Sequence, residues 1–198
     1  MTDLPARDSP DPERQLYVIS GVQAAGKSTA GRLLAERFSR GVFIDGDDVR
    51  AMVVAGREDM TPDPSPEAIR QLLLRYQVAA QTALLHRSAG FDVVVADNIF
   101  GPILTSFLQL LAGHTFHLIM LVPAPEVVLR REHARDKDGY GPIWTVQALH
   151  DLVQAQTARL GWWIDSSNLS AQETVDLILS DPDRSIVGVP ADMSVEAG

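Results

Sequence analysis

Cysteine is absent from the 198-residue chain, which removes disulfides, thiolate metal sites and thiol nucleophiles from consideration. Lysine is almost absent: it stands only at positions 27 and 137, and every other cationic side chain is arginine. Basic charge is in deficit, with 17 Lys and Arg against 26 Asp and Glu and a formal net charge of -9. Nucleic-acid backbones and anionic membranes both demand surplus Lys and Arg, so neither is the expected partner. No apolar run approaches the ~18 residues of a membrane span. Residues 1–15 are acidic and proline-bearing, without the apolar core of a signal peptide. These absences point to a cytoplasmic protein acting on a small molecule.

What is present suits one α/β domain, because 45% of the residues are apolar and the length allows a full core. Residues 1–14 and 181–198 lack periodicity and read as loose tails around a single domain over 15–180. Within it, 16–19, 42–44, 93–96, 116–122 and 162–164 are short apolar runs with strand character. Helical spacing fills the intervals. Ser65, Pro66 and Glu67 open a long helix that stops at Gly90, Pro102 and Pro125 open two more, Thr145 caps one that runs to Leu160, and Ser170 with Glu173 forms a capping box. Strands alternating with helices predict a parallel sheet covered on both faces.

The most specific motif follows the first run. Gly21-Val-Gln-Ala-Ala-Gly26-Lys27-Ser28 satisfies G-x-x-x-x-G-K-[ST], a match expected by chance on the order of 1% of the time in a chain this long. Glycine permits the tight turn that points backbone N–H groups at phosphate oxygens, and the helix beginning near Lys27 adds its positive dipole end. The expected nucleotide contacts are therefore Gly21, Ala24, Ala25, Gly26, Lys27, Ser28 and Thr29. Lys27 is expected to neutralise the β and γ phosphates, and Ser28 to direct its hydroxyl to Mg²⁺. Thr29 reads equally well as an ordinary helix residue.

Carboxylates at strand ends supply the remaining chemistry. Asp45 and Asp47 stand two apart after the second strand, which would direct both to one face at the edge where open α/β sheets bind ligands. Asp47 is assigned to the attacking hydroxyl and Asp45 to metal support, with the base left open between them. In the alternative reading, Asp47 or Asp48 caps the next helix. Arg50, one helical turn beyond Asp47, is a candidate for the acceptor or an ordinary surface arginine. Asp97 ends the third strand, the place of an acid that meets Mg²⁺ through water or the acceptor. Asn98 follows it, so the adjacent glutamate of motor-type ATPases is missing, and no N-K-x-D guanine motif is present. Arg130, Arg131 and Arg135 lead into a polar loop, a lid over 130–142. At least one of these, Arg131 or Arg135 foremost, is expected to reach the nucleotide and the transferring phosphoryl group. The five histidines show no metal spacing and read as structural or surface residues.

In motif order the chain resembles small P-loop kinases, especially the chloramphenicol phosphotransferase-like group. The resemblance rests on the P-loop, V-V-V-A-D-N-I-F-G at 93–101, R-E-H-A-R-D at 131–136 and W-I-D-S-S at 163–167. I-D-G-D-D-V-R at 44–50 looks more like gluconate, shikimate and adenylylsulfate kinases. The resemblance implies a three-layer P-loop NTPase fold with strand order 2-3-1-4-5. It also implies ATP- and Mg²⁺-dependent transfer to a hydroxyl of an antibiotic, nucleoside or sugar, with GTP open beside ATP. Residues 49–90 would then close over the acceptor. A regulatory nucleotide-binding module without turnover is the second reading, since a P-loop establishes binding and not chemistry.

Overall fold

Each apolar run becomes a strand in the computed structural model, which describes residues 14–134 and 145–188. The strands are β1 (Leu16–Gly21), β2 (Gly41–Asp45), β3 (Asp92–Ala96), β4 (Thr115–Leu121) and β5 (Trp162–Ile164). They pair in parallel in the order β2-β3-β1-β4-β5, the three-layer arrangement expected. The helices are α1 (Lys27–Glu36), α2 (Gly46–Ala51), α3 (Pro66–Ser88), α4 (Ile103–Gln109), α5 (Pro125–His133), α6 (Val146–Gln156) and α7 (Ala171–Ser180).

The two-residue period of a strand sorts side chains between the two helical layers. Leu16, Val18, Val93, Val95 and Leu118 pack with Tyr76, Ala79 and Ala83 of α3 and Phe107 of α4. Tyr17, Ile19, Val94 and Ile119 pack on the opposite face with Ala30 and Leu34 of α1 and Val175 and Ile178 of α7. Small residues on α3 bring that helix close to the sheet, and the Tyr76 ring meets Phe107 edge-on at 5.5 Å between centroids. Tyr76 also donates its hydroxyl to the Asn98 carbonyl at 2.7 Å, fixing α3 against the segment that leaves β3.

Strand register places the chemistry. Asp45 lies opposite Ala96, and Ala96 lies opposite Ile19, so the ends of β2, β3 and β1 deliver Asp45, Asp97 and the P-loop to one edge of the sheet.

The structure changes three boundary expectations. α2 begins at Gly46 because Asp45 is its N-cap and accepts from the Asp47 N–H at 2.9 Å; neither Asp47 nor Asp48 is the capping residue. α6 ends at Gln156 rather than Leu160: Thr157 turns extended, and its hydroxyl accepts from the Gly101 N–H at 2.7 Å. Residues 182–188, expected to be loose, form a 3-10 turn (Pro182–Ser185) and a sixth strand, β6 (Ile186–Gly188). β6 runs antiparallel to the start of β4, whose backbone groups at that end would otherwise face solvent.

His117 on β4 ties this extension to the core. Its Nδ1 lies 2.9 Å from the Ser185 hydroxyl and 3.1 Å from the Pro182 carbonyl, its Nε2 lies 2.9 Å from Gln15 Oε1, and its ring stacks on Tyr17 at 4.2 Å. Burial pushes the imidazole below its ordinary value, outweighing the Pro182 carbonyl and Asp183, which favour the charged form. The folded state therefore holds fewer protons than the unfolded state as pH falls below the unfolded histidine value of ~6.5, and stability declines through that window. His117→Gln should flatten the slope of Tm against pH between about 7 and 5 relative to the native chain. An unchanged slope would assign the pH dependence elsewhere.

Candidate functional site

At the carboxyl edge of the sheet lies an open cavity of about 440 Å³, lined by the P-loop, Asp45, Asp47, Arg75, Asp97, Asn98, Arg131 and the start of α7. The loop is shaped by backbone conformations that most L residues avoid. Gly26 has φ +100°, and Ala24, a non-glycine, sits at φ +59°, which costs roughly 1–2 kcal/mol and survives because the surrounding turn enforces it. Gly21 begins the loop at φ +145°, where a Cβ would overlap the Leu121 carbonyl on β4. Ala25 N–H donates to the Val22 carbonyl at 3.2 Å, closing the turn.

Lys27 is buried and its Nζ donates to the Val22 carbonyl at 2.8 Å, within the loop it serves. Ser28 is half-buried and Thr29 exposed, both on the cavity wall. Arg131 reaches back from α5: it donates to the Ala25 carbonyl at 3.1 Å and to the Ser166 carbonyl at 2.9 Å. One side chain thus joins the P-loop to the segment between β5 and α7. Burial, then the neighbouring Arg130, lowers its proton affinity, although an arginine stays charged at any physiological pH. Arg135 and the rest of the expected lid, 136–142, lie outside the described residues.

The carboxylates differ in what they face. Asp47 sits in the first turn of α2 with its side chain 50% exposed, 3.8 Å from Arg75. Asp45 commits one oxygen to the helix cap. Asp97, expected to serve Mg²⁺ or the acceptor, is instead engaged by an arginine on α3. Arg75 Nε donates to Oδ2 at 2.7 Å and Arg75 Nη2 donates to Oδ1, while the Asn98 N–H also donates to Oδ1 at 2.6 Å. Both carboxylate oxygens are thus engaged by Arg75, while Asp97 still lines the cavity. Burial pushes the Asp97 carboxyl up, against Arg75, Asn98 and Lys27, which pull it down. Arg50 forms a two-pronged pair with Asp59, Nε to Oδ1 at 2.7 Å, away from the cavity wall, the arrangement of its surface reading.

Sequence reading missed Arg75. It lies within a stretch of α3 whose apolar stripe accounts for its neighbours, and nothing local marks one of several helix arginines as the partner of an acid 22 residues later. The only trace was the buried strand-end acid itself, which demands a cationic partner.

Gly46 explains how Asp97 fits so tightly. A Cβ at position 46 would overlap the Asp97 carboxyl group, so α2 can begin there only on a glycine. Gly46→Ala should displace Asp97 from Arg75 and destabilise the fold by about 1–3 kcal/mol, as overpacking does. Chemical denaturation would measure it, and a variant as stable as the native chain would show that the acid has room to move.

Residues 16–160 match the family described as AAA domain. The chain belongs to that family. Among solved structures, this AAA domain chain is similar to an unliganded sugar kinase from Janibacter sp. (16% identity, 87% of this chain and 96% of that one, TM-score 0.62). A tunicamycin resistance protein from Deinococcus radiodurans is comparably similar (18% identity, 88% and 99%, TM-score 0.60). So is the APS kinase of Mycobacterium tuberculosis, solved with AMPPNP and APS (15% identity, 86% and 98%, TM-score 0.62). At these identities the likeness establishes the fold alone, a parallel-sheet α/β P-loop NTPase fold. No curated protein matches the sequence. Among the described residues no helix is long and apolar enough to cross a membrane.

Proposed function

We propose that this AAA domain protein transfers the γ-phosphoryl group of ATP to a hydroxyl of a small molecule. The observation that carries the reading is a single cavity in which a P-loop lies between Arg131 and Ser166 at one end and Asp45 and Asp47 at the other. A triphosphate seated on the loop would point its terminal phosphate toward the carboxylates. The half-exposed Asp47 would accept the proton of an incoming hydroxyl, and Lys27 would hold the phosphate charge through the reaction.

Mg²⁺ fits the donors present. Ser28 and Asp45 bring hard oxygen donors to the cavity wall, the ligands preferred by an ion that is shared with substrate phosphates and keeps several waters. Ser28, and Asp45 with its remaining oxygen, would hold it, and when bound it neutralises charge on the transferring group. Arg131, tied to both the P-loop and the β5–α7 segment, would close the nucleotide end. The acceptor class is a hydroxylated metabolite, with antibiotics, nucleosides and sugars the first to test.

Release of ADP from MgATP in the presence of a panel of such compounds tests the reading. Acceptor-dependent ADP release with a phosphorylated product supports it. Nucleotide binding without turnover across the panel would favour a regulatory P-loop module instead.

A further inference from the structure

The Arg75–Asp97 pair exceeds what packing requires. Asp97 is 1% exposed and Arg75 13%, so the pair is costly to bury, and an apolar pair would pack α3 against the sheet as well or better. Its geometry is side-on: Nε and Nη2 of Arg75 face the carboxylate. Nη2 also lies 3.8 Å from Asp47, while Nη1 bonds to no described residue. Arg75 lines the cavity together with Lys27, Ser28 and Asp47, so a cation held by Asp97 faces the same space as the P-loop lysine and Asp47, with Nη1 unused among the described residues.

We infer that Arg75 is a catalytic residue that binds the oxygens of the phosphoryl group as it passes to the acceptor, with Asp97 as the positioning residue that holds the guanidinium in place. The inference rests on the phosphotransferase reading. In the step, the acceptor oxygen forms a bond to the γ phosphorus and its proton goes to the Asp47 carboxylate. The bond from that phosphorus to the β–γ bridging oxygen breaks, and its electron pair stays on ADP. Charge on the three equatorial oxygens then lies between Lys27 on the donor side and Arg75 on the acceptor side. Arginine suits this place because its planar fork can engage a carboxylate on one edge and an oxyanion on another. The immobilising contact with Asp97 removes the entropy that a free side chain would lose on each turnover.

The experiment uses MgADP with fluoroaluminate, a mimic of the phosphoryl group in flight, on the full chain, with water in the acceptor place. Fluoroaluminate should tighten MgADP binding to the native protein by ~10²-fold or more. Arg75→Lys keeps the charge and loses the fork, and should reduce that tightening at least ~10-fold while MgADP alone binds within about twofold of native. Because Arg75→Gln would strand a buried carboxylate, the neutral double variant Arg75→Gln with Asp97→Asn serves as the second test, with circular dichroism to establish its fold. It should show MgADP binding and almost no tightening.

Native-like tightening in either variant, or none in a native protein that binds MgADP, would overturn the role of Arg75. A native protein that fails to bind MgADP at all would instead overturn the phosphotransferase reading on which it rests.

Discussion

Lys27→Ala should lower phosphoryl transfer by ~10²–10³-fold or more, the range seen when one preorganised donor is removed from a site that stabilises developing negative charge. The expectation rests on placement rather than on the motif alone. Lys27 is buried at the first position of α1, with its ammonium 2.8 Å from the Val22 carbonyl of its own loop. A phosphate entering the loop meets a cation already stripped of most of its water, where electrostatic interactions are stronger than in bulk. Truncation also removes a positive charge that favours ionised Asp97, so a modest loss of stability should accompany the loss of binding. Titration with a fluorescent triphosphate analogue and an ADP-release assay measure the two effects separately. Native affinity and turnover in Lys27→Ala would dismantle the assignment of the loop.

Asp47→Asn should do something different: leave MgATP affinity nearly intact and lower the transfer rate by ~10²-fold or more, as loss of a general base does. Asp47 can be singled out because its neighbours are already committed. Asp45 gives one oxygen to the cap of α2 and Asp97 gives both to Arg75, whereas the Asp47 side chain is half-exposed on the cavity wall. The amide keeps the shape and loses the basic oxygen, so KM for nucleotide should stay and kcat should fall. If kcat stays, the base is Asp45 and the first turn of α2 serves only to present it.

The elements that local physics controls were legible in the chain. A P-loop is a run of local conformations, and each of the five parallel strands announced itself through its own residues; Thr145 and Ser170 cap α6 and α7 as their sequence contexts implied. The opening of the long helix at Ser65 was equally legible, since the Ser65 hydroxyl accepts from the Ala68 N–H at 3.0 Å. What escaped were contacts between residues distant in sequence. Residues 182–188 carry no amphipathic period over so short a length, and they become ordered by pairing with a strand more than sixty residues earlier. Arg50 and Arg75 look alike on paper. One lies beside Asp59 at the surface and the other beside a buried acid.

The sequence by itself determined that a phosphate loop joins a strand to a helix and that acids stand at the ends of the second and third strands, because glycine spacing, periodicity and strand-end position are properties of adjacent residues. Only the tertiary structure decided which acid pairs with a guanidinium. Partnership between a carboxylate and a guanidinium depends on the packing of α3 over β3, and on a glycine at position 46 leaving room for Asp97. Those are distances across the fold, set by how whole elements pack.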